Sequence, residues 1–180
     1  TNEPTAPGTL IVREAKSSNT SAQEITAQIT GVAGRKGFSI IAIEKTLMNS
    51  ELGFGRRLLT VLESNGGRFE QMPAGIDTLC VVVNSASLDR KVDSVVREIK
   101  LECRTDQVEV EHGIALIATV GRGMMQTPGI AARVMSSLSS AKVNIRMIDQ
   151  GSGELNIIVG VRETDFETAV RAIYDAFVAR

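Results

Sequence analysis

Residues 127–134 read TPGIAARV, and a second glycine-flanked helix start, GFGRRLL, stands at residues 53–59. In the first, Thr127 takes the place of a helix N-cap, Pro128 that of the first helical residue, and Gly129 follows. None of these is a nucleophile, acid, base or metal ligand. What such a start offers is binding. The first N–H groups of a helix have no partner within it, and the peptide dipoles make that end positive. A glycine there lets a ligand come close to the backbone. The chemistry suits a carboxylate or a phosphate, although ordinary helix capping accounts for the same residues. Each start follows a loop rich in glycine or small polar residues, GRGMMQ in one case and MNSELGFG in the other. The repetition points to a pair of small-anion sites.

Other residues with chemical potential are few. Glu70 sits mid-strand and faces opposite to Phe69, as a solvated strand residue or as a partner for an ammonium group. The run GRG at 121–123 opens a GxGxxG pattern, but Gln126 occupies its last position, and the acidic partner and parallel-sheet context of dinucleotide binding are missing. The single histidine, His112, gives no material for a metal site or triad and reads as structural. Met48, Met124, Met125 and Met147 read as packing residues, Met48 within a candidate ligand loop. Two cysteines lie far apart, with Cys80 inside LCVVV as a buried core thiol, so a reducing compartment is expected.

Composition narrows the partners. Net charge is −1 and aromatics are 3% of 180 residues, with no Trp. There is no electrostatic or stacking case for nucleic acid, and none for a membrane surface. No apolar run approaches the ~18 residues of a transmembrane helix. The N-terminus is no signal peptide and does not begin with Met, so the chain is expected to be cut from something longer. Asn19-Thr20-Ser21 fits a glycosylation sequon, but the cysteine usage argues for the cytosol.

The elements that must position these residues form a repeat. FSIIAIEK is a strand; FGRRLLTVLESN is a helix with Phe54, Leu58, Val61 and Leu62 inward. GGRFEQM and DTLCVVVN are strands, SLDRKVDSVVREIK is a helix through Leu88, Val92, Val95 and Ile99, and QVEVEH closes a βαββαβ unit. From residue 114 the pattern returns as IALIATVG, a helix over TPGIAARVMSSLSSAK, the strands VNIRMID and ELNIIVGV, and ETDFETAVRAIYDAF. The halves align at a constant separation of 76 residues, from Gly53-Phe54 with Gly129-Ile130 to Val81-Val82-Val83 with Ile157-Ile158-Val159. Such a repeat means duplicated domains. The second copy lacks its last strand, and EITAQITGVAG at 24–34 is the candidate to supply it, which inserts the first copy into the second. The expected division is a connector at 1–23, one domain at 38–112, and a second built from 24–37 and 113–180.

GRGMMQTPGIAARVMSSLSSAKVNIRMIDQGSGELNIIVGV closely resembles the C-terminal ACT domain of aspartokinases. Gly153 stands where that family usually has Ser. ITGVAGRKGFSIIAIEKTLMNSELGFGRRLLTVLE and FEQMPAGID resemble the preceding part of the monofunctional, lysine-sensitive type, and NEPTAPGTLI resembles the junction leaving the kinase domain. The resemblance implies an α+β fold of two ferredoxin-like ACT domains, with antiparallel sheets and helices on one face. It implies a regulatory region that binds lysine, with threonine as the alternative, and that controls ATP-dependent phosphorylation of aspartate by a kinase domain of the same chain. A homodimer through the ACT domains and a cytoplasmic location go with it. No cofactor is implied for this segment; ATP and Mg belong to the kinase domain.

The same resemblance places the effector's carboxylate at Gly53, Phe54 and Gly55, its α-amino group near Met48, Arg68 and Phe69, and its side-chain ammonium at Glu70, where relatives usually have Asp. Ser50 replaces a loop His of some relatives. Gln126, Thr127, Gly129, Ile130 and Asn144 match positions of a second effector site or of the interface. A stand-alone ACT sensor, and the regulatory part of a bifunctional aspartokinase–homoserine dehydrogenase, are the rival readings. An RNA-binding βαββαβ domain lacks its exposed aromatic pairs here.

Overall fold

The computed structural model describes residues 29–88, 91–125 and 127–178. The strands are β1 (Gly31–Glu44), β2 (Phe69–Gln71), β3 (Thr78–Asn84), β4 (Gln107–Val120), β5 (Ile145–Asp149) and β6 (Asn156–Arg162). The helices are α1 (Phe54–Ser64), α2 (Ser85–Leu88), α3 (Val92–Cys103), α4 (Ile130–Ser140) and α5 (Phe166–Val178). All six strands join one antiparallel sheet in the order β2-β3-β1-β4-β6-β5. The two repeats therefore share a sheet, and the two long strands at its centre each serve both.

Along β1, Gly31–Arg35 pairs with Leu116–Val120, while Ile40–Glu44 pairs with Gln107–Glu111. The strand that the second repeat lacks is thus supplied from in front of the first. The sequence suggested separate strands at 24–34 and 38–45, and again at 107–112 and 114–121. The structure has one continuous strand at each place. Residues 1–28, including the connector and part of the expected extra strand, lie outside the described residues.

What lets one strand serve two units is a pair of bulges. The pairing register shifts between Arg35 and Phe38 and again between Phe38 and Ile40. Gly37 (φ 95°) and Gly113 (φ 71°) stand at these shifts, in backbone that glycine adopts without a Cβ penalty. Each bulge inserts one residue and so exchanges the faces of the strand beyond it. Val32 and Ile41 both end up on the helix side, although simple alternation would put them on opposite faces.

All the helices consequently lie on one face over two cores. Under α1 and α3 lie Ile41, Ile43, Leu58, Val81, Val83 and Ile99; under α4 and α5 lie Ala115, Ile117, Val134, Leu138, Val159 and Ile173. Each fully buried Leu, Ile or Val contributes roughly 1.5–3 kcal/mol from water exclusion. A third cluster contains strand residues alone: Phe38, Ile40, Val82, Ile114 and Met147, with Cys80, Leu116 and Ile158 beside them. It occupies the face away from the helices, with the Arg35 guanidinium 4.8 Å from the Phe38 ring centre. Cys80 belongs to this cluster and is only half-buried, whereas Cys103, the last residue of α3, is fully buried. Strand alternation turns Cys80 away from the core that Val81 enters.

Several element ends differ from the sequence expectation. β2 has three residues where seven were expected, because its register breaks between Phe69 and Gln71. The second helix of the first repeat is divided into α2 and α3. No described helix is long and apolar enough to cross a membrane.

Candidate functional site

The two helix starts are built alike. After β1 the chain makes a single 3-10 turn over Met48–Ser50, and after β4 one over Arg122–Met124. Met48 and Met124, 76 positions apart, are both buried beneath these turns. Gly53 (φ 75°) then caps α1 and Gly129 (φ 93°) caps α4, in left-handed backbone and without any side-chain cap bond. This corrects the expected start at 127–129. Gly129 is the cap itself, its positive φ excludes it from the helix, and the helix begins at Ile130. The Thr127 hydroxyl donates instead to Gly123 O, at 2.7 Å.

The consequence for binding is favourable. Arg57 N donates to Gly53 O at 3.1 Å and Arg133 N to Gly129 O at 3.0 Å. These are the first bonds of each helix, so the amides before them have no acceptor within it. Neither helix has an acidic residue in its first turn to compensate the positive end of the dipole. A cleft of about 270 Å³ opens at the α4 start, lined among others by Met124, Thr127, Gly129, Ile130, Gln150 and Glu154. Glu154 was not among the sequence candidates. It lies in the β5–β6 turn with φ 50°, where only a Gly-Ser-Gly break was legible.

The remaining candidates fall into three places. Phe54 and Ile130 are core residues, each 4% exposed. They anchor the helix starts from below, while Gly55 is half-buried. Ser50 is exposed, and its hydroxyl donates to Leu47 O. Arg68 and Asn144 are exposed at equivalent positions just before β2 and β5. Phe69 is 49% exposed on β2, and Glu70 lies 3.8 Å from the Arg35 guanidinium. Gln126 lies outside the described residues. His112, expected to be structural, has its Nδ1 2.9 Å from the Ser39 hydroxyl, which is itself 2.8 Å from the Ser85 hydroxyl.

Acidic residues that the sequence did not single out hold the loop before α1. Asp106 accepts from the Thr46 amide and hydroxyl at 2.7 and 2.8 Å. Asp77 accepts from Leu47 N at 2.9 Å, and Asn49 N donates to Ile76 O. The Thr46 amide, then its hydroxyl, holds the Asp106 carboxyl below the usual carboxylate range. Glu51 is also lowered, chiefly by its bond to Lys45 and further by Arg57. Burial pushes both thiols up. Three or more metal-ligating groups do not come together anywhere among the described residues.

Residues 117–177 match the ACT domain family. Over 180 residues, 99% of its length, the chain is 41% identical to aspartokinase 3 of Bacillus subtilis (strain 168), of which it spans 38%. It superposes with TM-score 0.81 and 52% identity on the crystal structure of Clostridium acetobutylicum aspartate kinase, covering 84% of this chain and 35% of that one. The ligand-free regulatory subunit of aspartate kinase from Thermus thermophilus shares the fold, with TM-score 0.70 at 21% identity, covering 83% of this chain and 99% of that subunit. The chain thus spans little more than a third of the curated aspartokinase it matches. Along nearly its whole length the chain is similar in sequence to aspartokinase 3, its fold is shared with a regulatory subunit of aspartate kinase, and residues 117–177 match the ACT domain family.

Proposed function

We propose that this chain is the amino-acid-sensing region of an aspartokinase, binding lysine, with threonine as the alternative effector, and setting the rate at which an attached kinase domain phosphorylates aspartate from ATP. The observation that carries the reading is the pair of glycine-capped helix starts at Gly53 and Gly129, set at the repeat distance. A free amino acid has a carboxylate, an ammonium and a distinguishing side chain. The amides at Gly53, Phe54 and Gly55 suit the carboxylate, and backbone near Met48, Arg68 and Phe69 suits the α-amino group. Glu70, exposed on the edge strand β2, suits a lysine side chain. In the second half Thr127, Gly129 and Ile130 line the cleft at the α4 start, with Gln126 and Asn144 as further candidates. Its similarity to aspartokinases supports the link to a kinase.

The strand pairing supports a division into one unit at 38–112 and another made of 24–37 with 113–180. On this reading the segment needs no cofactor to bind its effector, ATP and Mg serving the kinase portion alone. The whole protein works in the cytoplasm as a homodimer joined through these domains. Titration calorimetry of the chain with lysine, threonine and methionine separately tests it. Heat of binding with lysine in the absence of nucleotide and Mg is expected. Binding of none of the three overturns the sensing role, and binding of threonine alone moves the effector to the alternative. Purified chain should show no turnover of ATP with aspartate.

A further inference from the structure

We propose that Glu51 is the positioning residue of the loop that presents the α1 amides, its carboxylate shared between Lys45 just after β1 and Arg57 in α1. Lys45 Nζ lies 3.1 Å from Glu51 Oε2, and Arg57 Nη2 donates to Glu51 Oε1. The same cations anchor the corner to the main chain. Lys45 donates to Arg104 O at 2.8 Å, and Arg57 Nη1 reaches back to Leu52 O at 3.2 Å, the carbonyl just before the Gly53 cap. The side chains are 15%, 27% and 32% exposed for Lys45, Arg57 and Glu51, so the cluster is half-buried at the surface.

Packing alone does not set this loop. Leu47 and Leu52 are 66% and 94% exposed, and of the loop's side chains Met48 enters the core. Leu47 holds positive φ (59°), a conformation that a non-glycine residue keeps only where neighbours impose it. Nor is the arrangement a by-product of the repeat. The residues 76 positions on are Gly121, Thr127 and Arg133. There the Thr127 hydroxyl turns to Gly123 O, and the Arg133 guanidinium sits 4.8 Å over the Phe177 ring. The clasp belongs to the first half.

The proposal rests on the reading that a lysine carboxylate meets the α1 start, and it makes a prediction of definite sign. Removing the Glu51 charge leaves Lys45 and Arg57 unneutralised near that carboxylate, which by electrostatics alone strengthens binding. Loss of positioning weakens it, since small displacements of a binding group are costly. Calorimetric lysine titration of the chain with Glu51→Gln should show binding roughly tenfold weaker, with faster amide hydrogen exchange across residues 46–55 and unchanged exchange in α4. Arg57→Gln should do the same, and the double variant should lose little more, because both substitutions open one clasp. Lysine binding by Glu51→Gln as tight as the parent's, or tighter, overturns the proposal. If the parent binds no lysine, the effector reading falls and the exchange comparison decides alone. Faster exchange at 46–55 then upholds the clasp, and unchanged exchange overturns it. Should Glu51→Gln fail to fold, Lys45→Gln leaves Arg57 on Glu51 and reads the same two quantities.

Discussion

Arg35 reaches Glu70 across the open face of the sheet, Nη2 to Oε1 at 3.8 Å, and the same pair recurs with its charges exchanged at Glu111 and Arg146, at 2.7 Å. Positions 35 and 111, and 70 and 146, are each 76 apart. In both pairs one partner lies on a central strand and the other on an edge strand. Arg35 is on the part of β1 that pairs with Leu116–Val120, while Glu70 is on β2 of the first repeat. Each ion pair therefore ties one repeat to the other. The first pair is the looser, with side chains 62% and 46% exposed, and pairs of that kind contribute about 0–1 kcal/mol.

A lysine ammonium at Glu70 competes with Arg35, and the two substitutions should act in opposite directions. Glu70→Gln should weaken lysine binding by about 1.5 kcal/mol, the lower end for a hydrogen bond to a charged group, given how exposed the side chain is. Arg35→Gln should tighten it about two- to fivefold by freeing the carboxylate. Calorimetry on both variants decides. Equal affinities in parent and Glu70→Gln would remove Glu70 from the site.

Glycine positions on β1 should differ in tolerance. A Cβ on Gly34 meets the Phe166 ring at 2.6 Å and Leu116 O at 2.8 Å, while one on Gly37 meets nothing within 4 Å. Phe166 can rotate, but the Leu116 carbonyl is held in the sheet. Gly34→Ala should cost about 2–3 kcal/mol, as overpacking does. Gly37→Ala carries only the left-handed backbone penalty of about 1–2 kcal/mol. Urea unfolding midpoints compare them, and a larger loss for Gly37→Ala would contradict the account.

Much of this architecture was legible from spacing alone. The inward positions of α1, α4 and α5 follow the 3.6-residue period, and the missing strand of the second repeat could be inferred by counting. What could not be read was where the two repeats meet. Lys36-Gly37 and His112-Gly113 resemble ordinary strand ends, yet their bulges carry single strands through both units. Period-two patterning cannot see a face exchange that depends on φ. The start of α4 was misplaced for the same reason, since TPG satisfies capping preferences while Gly129 holds a φ no helix allows. Asp77 and Asp106 were missed because their partners, Leu47 and Thr46, are distant in sequence and adjacent only in space, and Glu51 because its two cations, six residues to either side, fit no regular period.

Acid should loosen the corner around the first loop. Asp106 and Glu51 have folded-state values below the ordinary carboxylate range, from the Thr46 amide and hydroxyl and from Lys45 with Arg57 respectively. A lowered carboxylate stabilises the fold in full above its unfolded value, about 4. That contribution fades as pH falls through the folded value. Between pH 7 and 5 stability should hold; below pH 4 it should decline. Asp106→Asn should lower stability at pH 7 and flatten the acid limb, since the variant has no charge to lose. Parallel stability–pH curves for parent and Asp106→Asn, measured by urea unfolding, would rule this out.

The two edges of the sheet bear on assembly. β2 and β5 end it on either side, each with a large apolar residue half-exposed, Phe69 at 49% and Ile148 at 50%. Open edges present unpaired amides and carbonyls and invite a further strand, and a second copy of the chain can close one isologously. The β2 edge is the better candidate, because Arg68, Phe69 and Glu70 lie on it. A copy seated there would exclude water from Glu70 and strengthen its hold on an ammonium. Lysine binding and dimerisation would then be linked, each favouring the other. Sedimentation of the parent at tens of micromolar should show a dimer, with lysine lowering its dissociation constant. Phe69→Lys places a charge on the edge and should give monomer together with weaker lysine binding, while Ile148→Lys should leave both nearly unchanged. A parent that stays monomeric with and without lysine sinks the idea. Loss of the dimer in Ile148→Lys alone moves the contact to β5 and separates assembly from the effector site.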